Sequence, residues 1–429
     1  MRAVTTFLLG WLSAGAVLAA GPFETYGVSP RTKGRASAAT ALSQGAEAAH
    51  ENPAGLSSLR EAELGFSFSL AVPLLRFERE LDDVPAREPP ARSGTVLVAA
   101  APLGPLFADR VVVGLALFTP SATYAHVTAP DPSVPFAYLY DTYSDHWELS
   151  PALSLRWFDW FSMGFGARIG ATQIGSVDLS VDPLRNRFTS QSIVARQSPN
   201  AAVTAGIRGG PFSVGDVLRA TVGVAFQEAL SLPMAFVANV ALEGLDSSVT
   251  FPIAVVANYA PRTYSAGLGL LLLERVELEA EVQYAVWSAA PTPYMAVQTI
   301  ISGRGASSLG LVGALDAPGP GQSRIAPAGF KDTLQLRVGA ETSFWDERLR
   351  ARGGYSYRPS PVPDQTSGTN LADATAHIVA LGAGYIISLE MSAKNETQLN
   401  IQTDRGKAFG IERVVSSAGG DEDVILAYG

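Results

Sequence analysis

The side chains best suited to chemistry in this sequence are carboxylates and guanidiniums at alternating positions. Glu277, Glu279 and Glu281 fall in one short run, Arg337 and Glu341 in a second, and Arg350 and Arg352 in a third. A spacing of two sets such groups on one face of a β-strand, where opposite charges on neighbouring strands form ion pairs. Catalysis has a different requirement, a nucleophile or acid within hydrogen-bonding reach of a base. The four histidines, His50, His126, His146 and His377, are scattered, and neither a G-x-S-x-G elbow nor an H-E-x-x-H helix occurs. A lipase is the sharpest enzymatic rival, yet no Ser and His are placed by sequence to favour it. Gly164-Phe165-Gly166 and Gly267-Leu268-Gly269 resemble fragments of nucleotide loops, but alternating Gly in a strand more often makes space for a neighbouring backbone. Asp421-Glu422-Asp423 fits a solvated turn better than a cation site. The sequence is read as a non-enzyme with no cofactor and no metal.

Composition narrows the elements that hold these groups. The chain has 429 residues, no Cys and a net charge of −9, so it carries no disulfide framework, no thiolate metal site and no basic footprint for nucleic acid. Hydrophobic residues make up 47%, yet no apolar run beyond the first residues reaches the roughly 18 that a membrane helix requires. With 41 Gly and many short alternating runs, two classes remain, a soluble β protein and a transmembrane β-barrel.

Residues 1–20 read as a secretory signal, with Arg2, an apolar core around Phe7-Leu8-Leu9-Gly10-Trp11-Leu12 and small residues ending at Ala19-Ala20. From Glu63 the apolar period becomes two. Leu64, Phe66, Phe68 and Leu70 share one face; Gly65, Ser67, Ser69 and Ala71 share the other. Runs at 95–101 and 111–119 are apolar on both faces, and 147–158 and 161–174 flank the turn Asp159-Trp160. In 276–287, Val276, Leu278, Ala280, Val282 and Tyr284 oppose the three glutamates. In 333–345, Leu334, Leu336 and Val338 oppose Arg337 and Glu341, and 349–358 sets Leu349, Ala351 and Tyr355 against Arg350 and Arg352. Tight turns (Asp159-Trp160, Glu274-Arg275, Asp346-Glu347) alternate with long loops (125–146, 178–198, 288–332, 359–376), and aromatics cluster at strand ends, as in Trp157-Phe158 and Phe344-Trp345. Both features favour the membrane barrel. An Arg facing lipid at mid-bilayer costs roughly 2–4 kcal/mol, so the charged faces are assigned to the lumen, and Arg156 and Arg168 fall on that side by the same parity. A two-residue turn at Asp346-Glu347 sets Ser343 opposite Arg350 and Glu341 opposite Arg352.

Ahead of the strands, residues 34–56 are rich in Ala and end at Asn52-Pro53-Ala54-Gly55, where Asn and Gly favour a turn and Pro removes a donor. A small-residue segment ending in NPAGL, between a leader and alternating strands, resembles the N-terminal hatch of the FadL/TodX family of outer-membrane channels for long-chain fatty acids and other hydrophobic compounds. VELEAEVQYAVWS, GFKDTLQLRVGAE, LRARGGYSYRPSPVPD and HIVALGAGY are similar to later blocks of that family. The resemblance implies an all-β, antiparallel transmembrane barrel of about fourteen strands (sixteen if 230–261 adds two). Residues 1–20 are then the signal, 21–62 a partly helical hatch plugging the lumen and 63–429 the barrel, in a bacterial outer membrane. It further implies passive uptake of a fatty acid or another hydrophobic molecule, gated at Asn52, Pro53, Ala54 and Gly55. Ligand would be captured on the outer loop by Tyr124, Phe136, Tyr138 and Tyr140. It would leave sideways into the membrane past Val112, Gly114, Ala116, Phe118 and Pro120. The alternatives are an aromatic-hydrocarbon channel and a non-transporting structural or adhesive barrel. The expected partners are the hydrophobic ligand and outer-membrane lipid, with the protein a monomer.

Overall fold

A computed structural model describes residues 28–72, 91–104, 107, 109–121, 137, 139, 146–182, 185, 187–215, 217–294, 296–308, 310, 328–345, 348–364, 371–389, 399–405, 411–416 and 422–427. The signal, Tyr124, Phe136, Tyr138, Tyr140 and the turn Asp346-Glu347 lie outside these residues.

The chain enters through two short helices, α1 (Pro30–Gly34) and α2 (Ala48–Glu51), and a 3₁₀ turn over Pro53–Ser58. An antiparallel meander follows in which sequence neighbours pair: β1 (Glu63–Ala71), β2 (Arg92–Pro102), β3 (Val111–Pro120), β4 (Glu148–Phe158), β5 (Phe161–Asp182), β6 (Arg187–Val214) and β7 (Leu218–Gln227). Next in the sequence come β8 (Leu230–Leu242) and β9 (Ser247–Ala260), but β7 pairs instead with β10 (Arg262–Leu272). The wall continues through β11 (Val276–Val286), β14 (Thr333–Phe344), β15 (Leu349–Arg358), β16 (Ala376–Leu389) and β17 (Leu399–Arg405). Between β11 and β14, the short β12 (Ala296–Val297) and β13 (Ile300–Gly303) pair with β9. β18 (Ile411–Ser416) and β19 (Glu422–Ala427) form their own hairpin.

Segment 230–261 is therefore a long hairpin standing off the wall, not two further wall strands. The expected loop over 178–198 is also corrected, because β5 runs on to Asp182 and β6 starts at Arg187. The period of two continues there through Val177, Leu179 and Val181. The expected turn Glu274-Arg275 spans Leu273, Glu274 and Arg275, with Leu272 opposite Val276.

The burial of the wall is inverted relative to a water-soluble sheet. On β1, Phe66 is 73% exposed while Ser67 and Ser69 are buried. On β11, Leu278, Val282 and Tyr284 are exposed while Glu279 and Glu281 are buried, Glu279 to 3%. Apolar side chains outside and charges inside suit a wall whose outer solvent is lipid. The buried face is covered by residues 28–59. A Cβ on Gly114 of β3, Gly164 of β5, Gly223 of β7, Gly269 of β10, Gly339 of β14 or Gly382 of β16 would press on that segment, so the sheet curves around it.

Candidate functional site

The N-terminal segment is held by charges drawn from both itself and the wall. Ser29 caps α1 reciprocally with Thr32, and Pro30 opens the helix. Four residues apart, Arg31 and Arg35 project from this short element towards β11 and β14. The Arg31 guanidinium donates to Glu277 on β11 and Glu341 on β14, both at 2.8 Å, and to Glu47 at 3.4 Å. Arg35 reaches Glu279 at 3.1 Å and Glu277 at 3.4 Å. On the wall, Arg352 donates to Glu341 at 2.9 Å, Arg350 to Glu341 at 3.4 Å and Arg337 to Glu281 at 2.7 Å. Glu341 and Arg352 are register partners, as are Ser343 and Arg350.

Residues 36–46 do not form the helix that their Ala content permits. Ala36 and Ser37 take left-handed φ of 51° and 60°, and the amides that a helix would use internally point at the wall. Ala39 and Thr40 N–H donate to the Glu281 carboxylate, both at 3.0 Å, and Ala41 and Leu42 N–H to Glu279 at 2.6 and 3.2 Å. Each carboxylate is thus satisfied by two amides and one arginine, the condition under which buried charge is tolerated. Ala is the side chain that fits between such closely approaching backbones.

Asn52 joins the two halves of the segment. Its side-chain amide donates to the Thr40 carbonyl at 2.7 Å and to the Ile207 carbonyl of β6 at 3.4 Å, and its Oδ1 caps the 3₁₀ turn by accepting from Ala54 N–H at 3.1 Å. Pro53, Ala54 and Gly55 are buried beneath it, and the Ala54 carbonyl accepts from Ser154 of β4 and Ser162 of β5. Asn52→Ala strands the Thr40 carbonyl and the Ala54 amide, at about 1–3 kcal/mol for each. Hydrogen exchange at residues 52–58 is expected to accelerate at least tenfold while the strands keep their protection. Wild-type exchange there would mean that the side chain does not hold the turn.

A second cluster lies beside it. Glu148 on β4 forms a two-pronged pair with Arg168 of β5 at 2.7 and 3.0 Å, and His50 and His146 each lie 3.7 Å from its oxygens. Gln227 of β7 donates to the His50 carbonyl at 2.9 Å. Burial pushes the His50 imidazole down to about 3, Glu148 opposing the shift and Arg168 adding to it. Among the described residues no cluster of His, Cys, Asp and Glu has metal-binding geometry. A polar cavity of about 30 Å³ lies between the segment and the wall, lined in part by Ser37, His50, Gln227, Gln283 and Arg337. That is room for a water or two.

On β3, Val112, Ala116 and Phe118 are buried, and the Cβ that Gly114 lacks would fall 2.7 Å from Leu56. β3 keeps unbroken register with β2 and β4, and Pro120 ends it, opposite Gly94. The inner face of β3 is therefore closed at Gly114 by Leu56 and Ala49 of the N-terminal segment.

The structure places Asn52, Pro53 and Ala54 against β4, β5 and β6, with Leu56 on Gly114 of β3, and separately brings together Glu277, Glu279, Glu281, Arg337, Glu341, Arg350 and Arg352. Arg31, Arg35, Glu47 and Glu148 complete these clusters and were not among the residues expected to form the site, whereas Arg168, expected on the inner face by parity, is buried there against Glu148. The spacing of Arg31 and Arg35 was the available signal. Arg156, expected in the lumen, lies at the end of β4 and donates to the Asp109 carbonyl at 2.8 Å.

Comparison with known proteins adds independent findings. The model of a family described as outer membrane protein transport protein (OMPP1/FadL/TodX) matches residues 11–394. A FadL homologue of Pseudomonas aeruginosa superposes with a TM-score of 0.52 at 14% identity, over 97% of this chain and 96% of its own. A TodX deltaS2S3 mutant, a monoaromatic hydrocarbon channel, superposes with a TM-score of 0.51 at 15% identity, over 97% of both chains. No curated protein sequence matched.

Proposed function

The chain belongs to the OMPP1/FadL/TodX family of outer-membrane transport proteins, and from that premise we propose that it is a passive channel for hydrophobic small molecules. In this reading the strands close into a barrel and residues 28–59 are its hatch. One observation carries the proposal: a segment of small residues fills the inner face of a lipid-facing wall, held towards β11 and β14 by ion pairs and towards β1–β4 by a buried apolar cluster that includes Leu56, Ala49, Val112 and Ala116. A plug so held can shift without unfolding the strands around it.

The ligand class follows from what the lumen offers. Arg31, Arg35, Arg337, Arg350 and Arg352 are each paired with a glutamate, so these five do not stand ready for a fatty-acid carboxylate, while Arg208 donates to the Ser43 carbonyl at 3.3 Å. This favours neutral hydrocarbons at least as much as fatty acids, and the TodX relative, a channel for monoaromatic hydrocarbons, points the same way. Capture falls to the outer-loop aromatics Tyr124, Phe136, Tyr138 and Tyr140. Uptake of labelled oleate and toluene into cells carrying or lacking the protein tests the reading. Uptake of neither would leave a structural or adhesive barrel.

For the exit we propose the wall beside β3. Its inner residues are small or apolar, in contrast to the charged β11, β14 and β15, and burial favours apolar walls by about 25 cal/mol per Å². With Leu56 seated against Gly114, this route opens when the 3₁₀ turn lifts. Ala116→Trp and Gly114→Trp are expected to cut uptake at least tenfold in a barrel that still inserts. Wild-type uptake by both variants would rule out this route.

A further inference from the structure

The route proposed above passes a charged pair. Glu148 opens β4 and is the register partner of Phe118 on β3. By strand parity it shares the inner face with the buried Ser150 and Ser154, so it lies beside Phe118 on the inside of the wall. Ala137 and Leu139, from the loop expected to capture ligand, belong to the same buried apolar cluster as Phe118 and Ala116. A molecule moving from that loop to the wall beside Ala116 therefore passes Phe118 and Glu148.

The pair is closed on itself. Glu148 is 0% and Arg168 1% exposed. Arg168 Nε donates to one carboxylate oxygen at 2.7 Å, Nη2 to the other at 3.0 Å, and Nη1 to Gln227 Oε1 at 3.4 Å. Two parallel N–H···O bonds are the arrangement in which a guanidinium holds a carboxylate of any origin, a ligand's included. Glu148 thus fills the place that a fatty-acid head group would take. His50 and His146 stand 3.7 Å from its oxygens, beyond hydrogen-bonding reach, so neither imidazole holds Glu148 in place of the guanidinium.

We propose that Glu148 is a specificity determinant: by occupying Arg168 it closes this route to carboxylates and leaves it to neutral hydrophobic molecules. A ligand carboxylate competes with one that the fold fixes against the guanidinium at high effective concentration. Displacing it leaves Glu148 buried without its counter-charge. A carboxylate that passes without the guanidinium gives up its water for nothing. A neutral molecule meets neither cost. The inference rests on the channel reading above and narrows its ligand to uncharged compounds.

Labelled dodecanol and dodecanoate share a tail and differ in the head group. Their uptake is compared at about pH 8, where a carboxylate is ionised, as the increment over cells lacking the protein. The wild type is expected to take up dodecanol at least tenfold faster than dodecanoate. Glu148→Gln keeps the shape of the side chain without its charge. It is expected to raise the dodecanoate-to-dodecanol ratio at least tenfold in a barrel that remains heat-modifiable. Adding Arg168→Gln is expected to cancel that gain, because the guanidinium itself is lost; a pair serving stability alone would leave the ratio unmoved throughout. The proposal is overturned if the wild type takes up both molecules equally, if Glu148→Gln leaves the ratio unchanged, or if the gain survives Arg168→Gln. The wild-type comparison needs no variant, so it decides even where Glu148→Gln fails to insert. Wild-type uptake of neither molecule would overturn the channel reading, and this inference with it.

Discussion

Glu279→Ala is expected to release residues 36–46 from the wall without unfolding the strands. The Glu279 carboxylate is buried and accepts from Ala41 N–H, Leu42 N–H and the Arg35 guanidinium. Its removal leaves a buried arginine with only the longer contact to Glu277, together with two amides without acceptors. Breaking a buried pair by deleting one partner costs about 3–5 kcal/mol, so the local opening of this segment becomes roughly a hundred- to five-thousandfold more frequent. Hydrogen exchange read by mass spectrometry on the membrane-inserted protein should show this acceleration over 38–44, with β1, β2 and β11 unchanged. Glu279→Gln keeps one acceptor oxygen and should fall between. Equal exchange in the wild type and Glu279→Ala would mean that shape complementarity, not charge, seats the segment.

Gly223→Leu should expel the same segment by volume. Gly223 lies on β7 with ordinary strand torsions, so the strand itself accepts a side chain. A Cβ there would fall 2.2 Å from the Thr40 carbonyl oxygen and 2.8 Å from the Ala41 Cα, both backbone atoms that cannot rotate away. The control is Gly353→Leu on β15, whose Cβ finds nothing nearer than 3.9 Å. With the segment displaced, the lumen conducts. Planar-bilayer conductance and sensitivity of cells to a bulky antibiotic should rise several-fold for Gly223→Leu and stay at the wild-type level for Gly353→Leu. If Gly223→Leu inserts and remains as tight as the wild type, the segment does not close the lumen.

Both experiments lean on contacts of different legibility. Strand parity was available from the sequence. Alternation is a local property, and the lipid cost of charge decides which face turns inwards, so Glu279, Glu281, Arg337 and Arg352 could be assigned to the interior before any contact was known. The pairing of Glu341 with Arg352 was available too, because a two-residue turn leaves only one register. The partners of Arg31 and Arg35 were not. Apart from Glu47, they lie on β11 and β14, hundreds of residues along the chain, and which wall positions face the segment depends on how the curved sheet staggers its strands. The same holds for Glu148, which collects His50, His146 and Arg168 from three parts of the sequence. Local propensity also misjudged residues 36–46, whose Ala content permits a helix, because four backbone amides bond two wall carboxylates instead. Within the described residues, then, the sequence by itself determined the inward and outward faces of the wall. Tertiary structure alone decided which side chains hold the N-terminal segment to the wall and where 230–261 stands, since both depend on contacts between elements that no local pattern encodes.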